Sequence, residues 1–454
     1  MFVYTNLKTS IKNKIFSFLA LYLKHTFIFL LIYLFTFYLF NELSNYYYCS
    51  DIKNLNFELL SLKFPIYLQV SCDMSFYTQG ILNLESIFEN DYLYQGRPIY
   101  ILLLYLVHKI ITFVSFSNSE IHVYLSVFFS QIFILSFISK ILLGLFKTEL
   151  SKLKENILIL FVCLSPIVKF GVFDPSHQIL TILSFVISLH FIFKIKELSY
   201  RNSYNYALAL GVLFLSNKVF FVTFFVLLVC INYDNLVKNK NINPYNFIYS
   251  TLLFISPYLV YLLFLKLSGY EIYEAETAEY GHFIWLLYFS NGHIVHEGQW
   301  FCHSIPENFI CYFRDYLNAI IYMMPVITYL LLLRQNILRV NSNQLKIFST
   351  FEKPLLLITI LYSFFWSLMG WFPPLRLSLY VIGIATTIYA INLIFYLSKK
   401  NLLLHSFGVS LYFIGLNHWN NPEIINYNFF TTLGVFTMIV NLISVFKLKS
   451  QKVD

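Results

Sequence analysis

Long apolar segments recur along the whole 454-residue chain, and they limit what it can fold into. The chain is 58% hydrophobic and only 12% charged, whereas a soluble protein carries about 25% charged residues. Segments of about 20 apolar residues match the thickness of a bilayer core, and a transmembrane β-barrel would instead show short alternating strands. The sequence therefore predicts an all-α polytopic membrane protein.

Basic residues between the apolar segments give the predicted topology. Cytoplasmic loops of membrane proteins are enriched in Lys and Arg, so the net charge of +8 indicates orientation in a membrane rather than a nucleic-acid partner. The rule places the N-terminus in the cytoplasm and gives about twelve transmembrane helices with both chain ends inside. The predicted spans are 26–40, 121–146, 157–172, 179–193, 206–215, 219–231, 247–267, 316–333, 355–370, 377–397, 402–416 and 429–446.

Two external loops divide the chain. The first covers residues 41–120 and contains the apolar segment 98–116, which carries His108 and Lys109 near its middle. Because a charge at the bilayer centre is costly, we expect this segment to lie in the plane of the interface. The second external loop covers residues 271–315, and residues 316–454 form C-terminal transmembrane helices. Cys302 and Cys311 both lie in this second loop. The sequence is compatible with a disulfide between them and with two free thiols.

Two acidic residues stand out at the predicted outer surface. Asp73 precedes a predicted short helix, 74–84, and Asp174 precedes Pro175 at the outer end of a span. Both positions fit ordinary helix N-caps. Two carboxylates on one side of a bundle can also hold a divalent ion or orient an acceptor hydroxyl. Asp73 and Asp174 are therefore the candidate catalytic residues, and a divalent metal ion bound by them is the one cofactor that the sequence suggests.

Candidate substrate-binding residues lie on the same predicted side. An isolated cation near a membrane usually extends to the headgroups, but an arginine also offers a two-pronged donor to a phosphate. The scattered His and Glu residues of the second loop match no zinc-binding spacing. The candidate substrate-binding residues are Tyr77, Arg97, Tyr100, His177, Lys218 and Arg376.

Several short motifs occur in the order and on the predicted side found in one group of enzymes. They are Arg97-Pro98-Ile99-Tyr100, Asn118-Ser119-Glu120, Leu164-Ser165-Pro166, Asp174 and Ser216-Asn217-Lys218. In these motifs, residues 1–270 resemble the common module of the C-superfamily membrane glycosyltransferases, which include protein mannosyltransferases and aminoarabinose transferases. The chain departs from that pattern in three places. Asp73-Met74 replaces an Asp-Glu pair, the Arg that usually precedes the second acid is absent, and the late His-Arg-Tyr-like motif is reduced to Pro374-Leu375-Arg376.

The resemblance implies a glycosyltransferase C-like fold, with surface helices in the first external loop. It also implies an enzyme that transfers a hexosyl or pentosyl group from a polyprenyl-phosphate-linked donor to an acceptor hydroxyl. The acceptor would be a glycan, lipid or protein at the outer face of the membrane. The basic, Ile- and Phe-rich composition is typical of a bacterial inner-membrane protein. The reaction would invert the anomeric centre, with Asp73 as general base. Two alternatives remain open at this point: an envelope polysaccharide polymerase or ligase, and a non-catalytic lipid-linked sugar transporter or flippase.

Overall fold

The computed structural model describes residues 2–34, 50–59, 62–71, 73–88, 95–115, 120–146, 151–165, 168, 179–195, 198, 200–234, 244–272, 305–340, 344–369, 374–416 and 429–450. Helices make up most of this part of the chain. They are α1 (Phe2–Leu34), α2 (Asp73–Leu82), a 3₁₀ helix (Leu84–Phe88), α3 (Pro98–Ser115), α4 (Glu120–Leu145), α5 (Lys152–Leu164), α6 (Ile179–Phe193), α7 (Tyr200–Phe214), α8 (Phe220–Asp234), α9 (Pro244–Leu267), α10 (Ile305–Val340), α11 (Gln344–Met369), α12 (Pro374–Ile394), α13 (Lys399–Gly415) and α14 (Phe429–Ser450).

One β-hairpin interrupts the helices, and the sequence analysis did not predict it. Strands β1 (Ser50–Leu59) and β2 (Leu62–Ser71) pair antiparallel, with Ser50 opposite Ser71. The apolar run in β2 is short, and periodicity alone does not show whether such a run forms a strand or a helix. The hairpin ends two residues before α2, the helix that begins at Asp73.

A helix overlaps each predicted span, and the helix bounds agree with the prediction at two places. The span 179–193 coincides with α6, and the predicted turn at Ser216-Asn217-Lys218 separates α7 from α8. Helix α5 ends at Leu164, before the predicted end of its span at residue 172, and the Ser165 N–H donates to Phe161 O at 2.8 Å as the C-cap. Helix α10 begins at Ile305, inside the predicted second external loop. A proline at its second residue suits the first turn, where the missing N–H would have no intrahelical partner.

Six of the described helices are long and apolar enough to cross a membrane, which supports a membrane protein. The candidate spans are Ile15–Ile32, Pro98–Ser115, Ile121–Leu145, Pro244–Leu267, Ala319–Leu338 and Phe348–Phe365. The set includes α3, which the sequence analysis places in the plane of the interface. That placement and the total of twelve spans stay predictions.

Two pairs of helices pack closely at a glycine. A Cβ on Gly211 of α7 would lie 2.2 Å from Phe254 O of α9, and a Cβ on Gly434 of α14 would lie 2.5 Å from Tyr412 N of α13. Within lipid no hydrophobic force drives helices together, so their association depends on close van der Waals packing. Small residues at the contact allow that close approach. In α9, Pro257 leaves the Leu253 carbonyl without its usual helical donor, and the Ser256 hydroxyl donates to that oxygen at 2.9 Å.

One end of the bundle is held together by aromatic contacts between helix ends. The Phe146 ring lies 5.5 Å from the rings of both Phe351 and Phe395, and Phe193 stacks on Phe351 at 5.1 Å. The Lys154 ammonium lies 5.6 Å from the centroid of the Phe395 ring. We call this the Phe146 end. It joins the ends of α4, α6 and α12 to the starts of α5 and α11.

Polar contacts also join helices inside the bundle. Arg334 of α10 donates to both carboxylate oxygens of Glu352 of α11, at 2.5 and 2.8 Å, and Tyr389 of α12 donates to the same carboxylate at 2.8 Å. A buried hydroxyl group on α11, that of Tyr362, lies within 3.0 Å of the hydroxyls of Ser184, Ser188 and Thr223. These contacts tie the C-terminal helices to α6 and α8.

Candidate functional site

Helix α2 places Asp73 at its first residue and Tyr77 one turn further on. The side chain of Asp73 lies outside the described residues, so only its backbone position at the helix start is assigned. An Asp at this position fits the N-cap expected from the sequence, and capping would fix the direction of its carboxylate. The Tyr77 ring is fully buried and meets the Tyr100 ring of α3 edge-on at 5.8 Å. This contact fixes α2 against the start of α3.

Arg97 precedes α3 and is 6% exposed. Its carbonyl accepts hydrogen bonds from the N–H groups of Tyr100 and Ile101, at 3.1 and 3.2 Å, and Pro98 fills the first helical position. A proline is favoured there because its fixed φ suits the first turn. Arg97 therefore occupies the position just before a helix N-terminus, an end at which the helix dipole favours bound anions.

Tyr100 points into the bundle rather than toward a surface. Its side chain is 1% exposed, and its hydroxyl accepts a hydrogen bond from Gln131 Nε2 of α4 at 2.8 Å. Sequence reasoning placed Tyr77 and Tyr100 as substrate-binding residues. Their rings instead pack against one another between α2 and α3, so within this geometry they position neighbouring residues. Direct contact with a substrate stays a prediction.

The turn that carries Lys218 lies against the start of α3. The Ile99 N–H donates to Leu215 O at 3.4 Å. Within the turn, the side chain of Asn217 is buried and accepts from the Val219 N–H at 3.0 Å, which fixes the turn as an Asx turn. Lys218 is partly exposed. Arg97 and Lys218, which are far apart in the sequence, thus belong to adjoining segments.

A third segment reaches the same place from the end of α9. Gln95 donates through Nε2 to Phe88 O at 3.0 Å and to Glu271 O at 2.7 Å. We call the region formed by the starts of α2 and α3, the Lys218 turn and residues 270–271 the Arg97 end. Sequence reasoning missed both Gln95 and Gln131, because an isolated glutamine carries no local pattern.

The remaining candidates are not placed. Asp174 and His177 lie outside the described residues, as do Cys302 and the second-loop histidines. Arg376 belongs to the first turn of α12, and its side chain is likewise outside the description, as is that of Cys311. A shared cavity for Asp73 and Asp174 stays a prediction. Among the side chains that are described, no group of three or more His, Cys, Asp or Glu residues gathers in a way that could hold a metal ion.

Comparison of the chain with protein families, with characterised proteins and with solved structures finds no match.

Proposed function

We propose that this chain transfers a sugar from a polyprenyl-phosphate-linked donor to an acceptor hydroxyl at the outer face of a membrane. The observation that carries the proposal is the Arg97 end. There a buried guanidinium at the start of α3 adjoins the Lys218 turn, and the Tyr77–Tyr100 contact joins α3 to the helix that begins at Asp73. A general base and cations that stabilise the leaving phosphate are the groups that displacement of a phosphate by a hydroxyl uses.

The two ends of the bundle support the proposed topology of twelve spans with cytoplasmic chain ends. The basic-loop rule places all the helix ends of the Phe146 end on the cytoplasmic side, and in the structure these ends are in contact with one another. The contacts of the Arg97 end, between Ile99 and Leu215 and between Gln95 and Glu271, join residues that the rule places outside. The Arg97 end would then face the outside of a bacterial inner membrane.

The proposed reaction is a single displacement. Asp73 accepts the proton of the acceptor hydroxyl while that oxygen forms a bond to the anomeric carbon. The bond from the anomeric carbon to the phosphate oxygen breaks, and polyprenyl phosphate leaves with the electron pair. Attack from the opposite face inverts the anomeric centre. A general base contributes about 10²–10⁴-fold to such a reaction.

The cations and the second acid have separate parts in this scheme. Arg97, Lys218 and Arg376 would stabilise the charge that develops on the leaving phosphate, Arg97 through its planar pair of donors. Asp174 would orient the acceptor or, together with Asp73, hold a divalent ion. Such an ion would supply charge stabilisation at the phosphate. The exposed apolar side chains of α3, among them Leu106, Ile110 and Phe113, would lie beside the prenyl tail.

The test is a transfer assay in membranes that contain equal amounts of wild-type or variant protein. Labelled polyprenyl-phosphate hexoses and pentoses serve as donors, and Asp73→Asn is the variant. Glu155→Gln is the matched control, because Glu155 lies on α5, away from the Arg97 end. Its Oε1 forms an ion pair with Lys24 Nζ at 2.6 Å. We expect Asp73→Asn to lower transfer about 10²-fold or more and Glu155→Gln to leave it within about twofold. Equal transfer by Asp73→Asn and wild type would remove Asp73 from the base role.

A further inference from the structure

Gln95 joins two segments that lie far apart in the sequence. Its side chain is 7% exposed, and Nε2 lies 3.0 Å from Phe88 O and 2.7 Å from Glu271 O. A primary amide has two N–H donors, so both are used on backbone carbonyls of different segments. Phe88 is the last residue of the 3₁₀ helix, where a carbonyl has no partner within the helix itself.

A left-handed glycine brings the second carbonyl into place. Helix α9 ends at Leu267, and Gly269, two residues further on, has a φ of +77°. The Gly269 N–H donates to Lys266 O at 3.3 Å and the Tyr270 N–H to Leu265 O at 3.0 Å, which is the hydrogen-bond pattern of a Schellman C-cap. The chain therefore turns sharply after α9, and Glu271 presents its carbonyl to Gln95.

Aromatic packing surrounds these hydrogen bonds. The Phe88 ring stacks on Tyr270 with 5.1 Å between centroids and meets Phe264 at 5.4 Å. The Tyr261 hydroxyl donates to Ile87 O at 3.4 Å. The 3₁₀ helix and the end of α9 thus form one packed unit, and the amide of Gln95 lies within it. We call this unit the Gln95 junction.

The Gln95 junction holds the chain on the N-terminal side of Arg97, two residues before it in the sequence. On the other side, two residues after Arg97, the Ile99 N–H is bonded to Leu215 O of the Lys218 turn. Arg97 is therefore fixed between the end of α9 and the end of α7. We propose that Gln95 is a positioning residue, which holds the Arg97 guanidinium where it binds the phosphate of the lipid-linked donor. This inference rests on the proposed function.

The main variant is Gln95→Met, which keeps the volume of the side chain and removes both donors. The control is Gln335→Met, the same exchange at an exposed position on α10. Gly269→Ala disturbs the junction from its other side: a Cβ there meets open space, so the substitution acts only through the left-handed backbone. The full-length proteins are purified in lipid nanodiscs, and binding of polyprenyl phosphate, the product common to all candidate donors, is measured.

A double-mutant cycle with Arg97→Gln separates positioning from a general loss of structure. We expect Gln95→Met and Gly269→Ala to raise the Kd for polyprenyl phosphate about tenfold, whereas Gln335→Met leaves it unchanged. In the Arg97→Gln background, Gln95→Met should change the Kd by less than about twofold, because the group it positions is gone. Equal effects of Gln95→Met in both backgrounds would overturn the inference.

Hydrogen exchange of the backbone amides supplies a readout that is independent of any ligand. Residues 84–88, 95–101 and 261–272 should exchange faster in Gln95→Met than in the wild type, and the rest of the chain should be unchanged. Unchanged exchange in these segments would overturn the junction even if the wild type binds polyprenyl phosphate. Faster exchange in a protein that binds no polyprenyl phosphate would keep the junction and overturn both the proposed function and the role of Gln95 in it.

Discussion

Gly211 is the position at which a single methyl group most directly tests how the Arg97 end is built. Helix α7 carries Gly211 one turn before Leu215, the residue bonded to the start of α3. A Cβ at Gly211 would lie 2.2 Å from Phe254 O and 3.0 Å from Pro257 Cδ. Comfortable contacts between non-bonded heavy atoms are about 3.5 Å, so α9 would have to move by more than about 1 Å. Because the obstacle is backbone, no side-chain rotation relieves it.

The cost of Gly211→Ala follows from that displacement. Phe254 is buried, and its ring stacks on Phe224 at 4.1 Å and lies 5.4 Å from Phe214, so a shift of α9 disturbs three rings. Overpacking of this kind costs about 1–3 kcal/mol. We expect the free energy of unfolding to fall by that amount and the melting temperature of the purified protein to drop by about 1–3 °C. Transfer activity should fall as well, since Leu215 and Glu271 follow α7 and α9.

The control for this prediction is Gly144→Ala. Gly144 is an exposed helical glycine on α4, and a Cβ there would meet nothing within 4 Å. Alanine is favoured over glycine in a helix by about 0.5–1 kcal/mol, so this variant should be as stable as the wild type or slightly more stable. Thermal unfolding of both variants is followed by intrinsic fluorescence in the same detergent. A Gly211→Ala protein as stable as Gly144→Ala would refute the close packing of α7 on α9.

Three further substitutions test other contacts, each by thermal unfolding against the wild type. Gly434→Ala should lower the free energy of unfolding by about 1–3 kcal/mol, because its Cβ would lie 2.5 Å from Tyr412 N; no loss would refute the packing of α13 on α14. Glu352→Gln should cost about 1–3 kcal/mol, since it leaves the partly buried Arg334 without its carboxylate, and a neutral effect would contradict that ion pair. Tyr362→Phe should cost about 1–2 kcal/mol, because three neighbouring hydroxyls lose a partner; an unchanged melting temperature would contradict the hydroxyl cluster.

The positions of the helices could be predicted because they depend on local sequence. Apolar runs locate α4, α6 and α9, and the short polar interruption at Ser216-Asn217-Lys218 marks the turn between α7 and α8. The helix after Asp73 follows from N-cap preference. Each of these features depends on residues within about 20 positions of one another, because hydrophobic periodicity and helix capping act over that range.

The contacts that build the Arg97 end could not be predicted in the same way. Gln95 and Glu271 are 176 positions apart, and neither residue carries a pattern that names its partner. The burial of Tyr77 and Tyr100 depends on how α2 packs against α3, and the role of Gly211 depends on which helix lies opposite. The β-hairpin was missed for a related reason, since strand pairing decides the state of short apolar runs.

The central claim is that two acids, Asp73 and Asp174, meet above the lipid on the outer side of the membrane. The most direct measurement uses a background in which all six native cysteines are replaced, with Cys introduced at positions 73 and 174 singly and together. A thiol reagent that cannot cross the membrane is applied from outside, followed by a short bifunctional cross-linker. The account predicts that both single variants are labelled and that the double variant forms an intramolecular cross-link. Labelling of the two positions from opposite sides would contradict it.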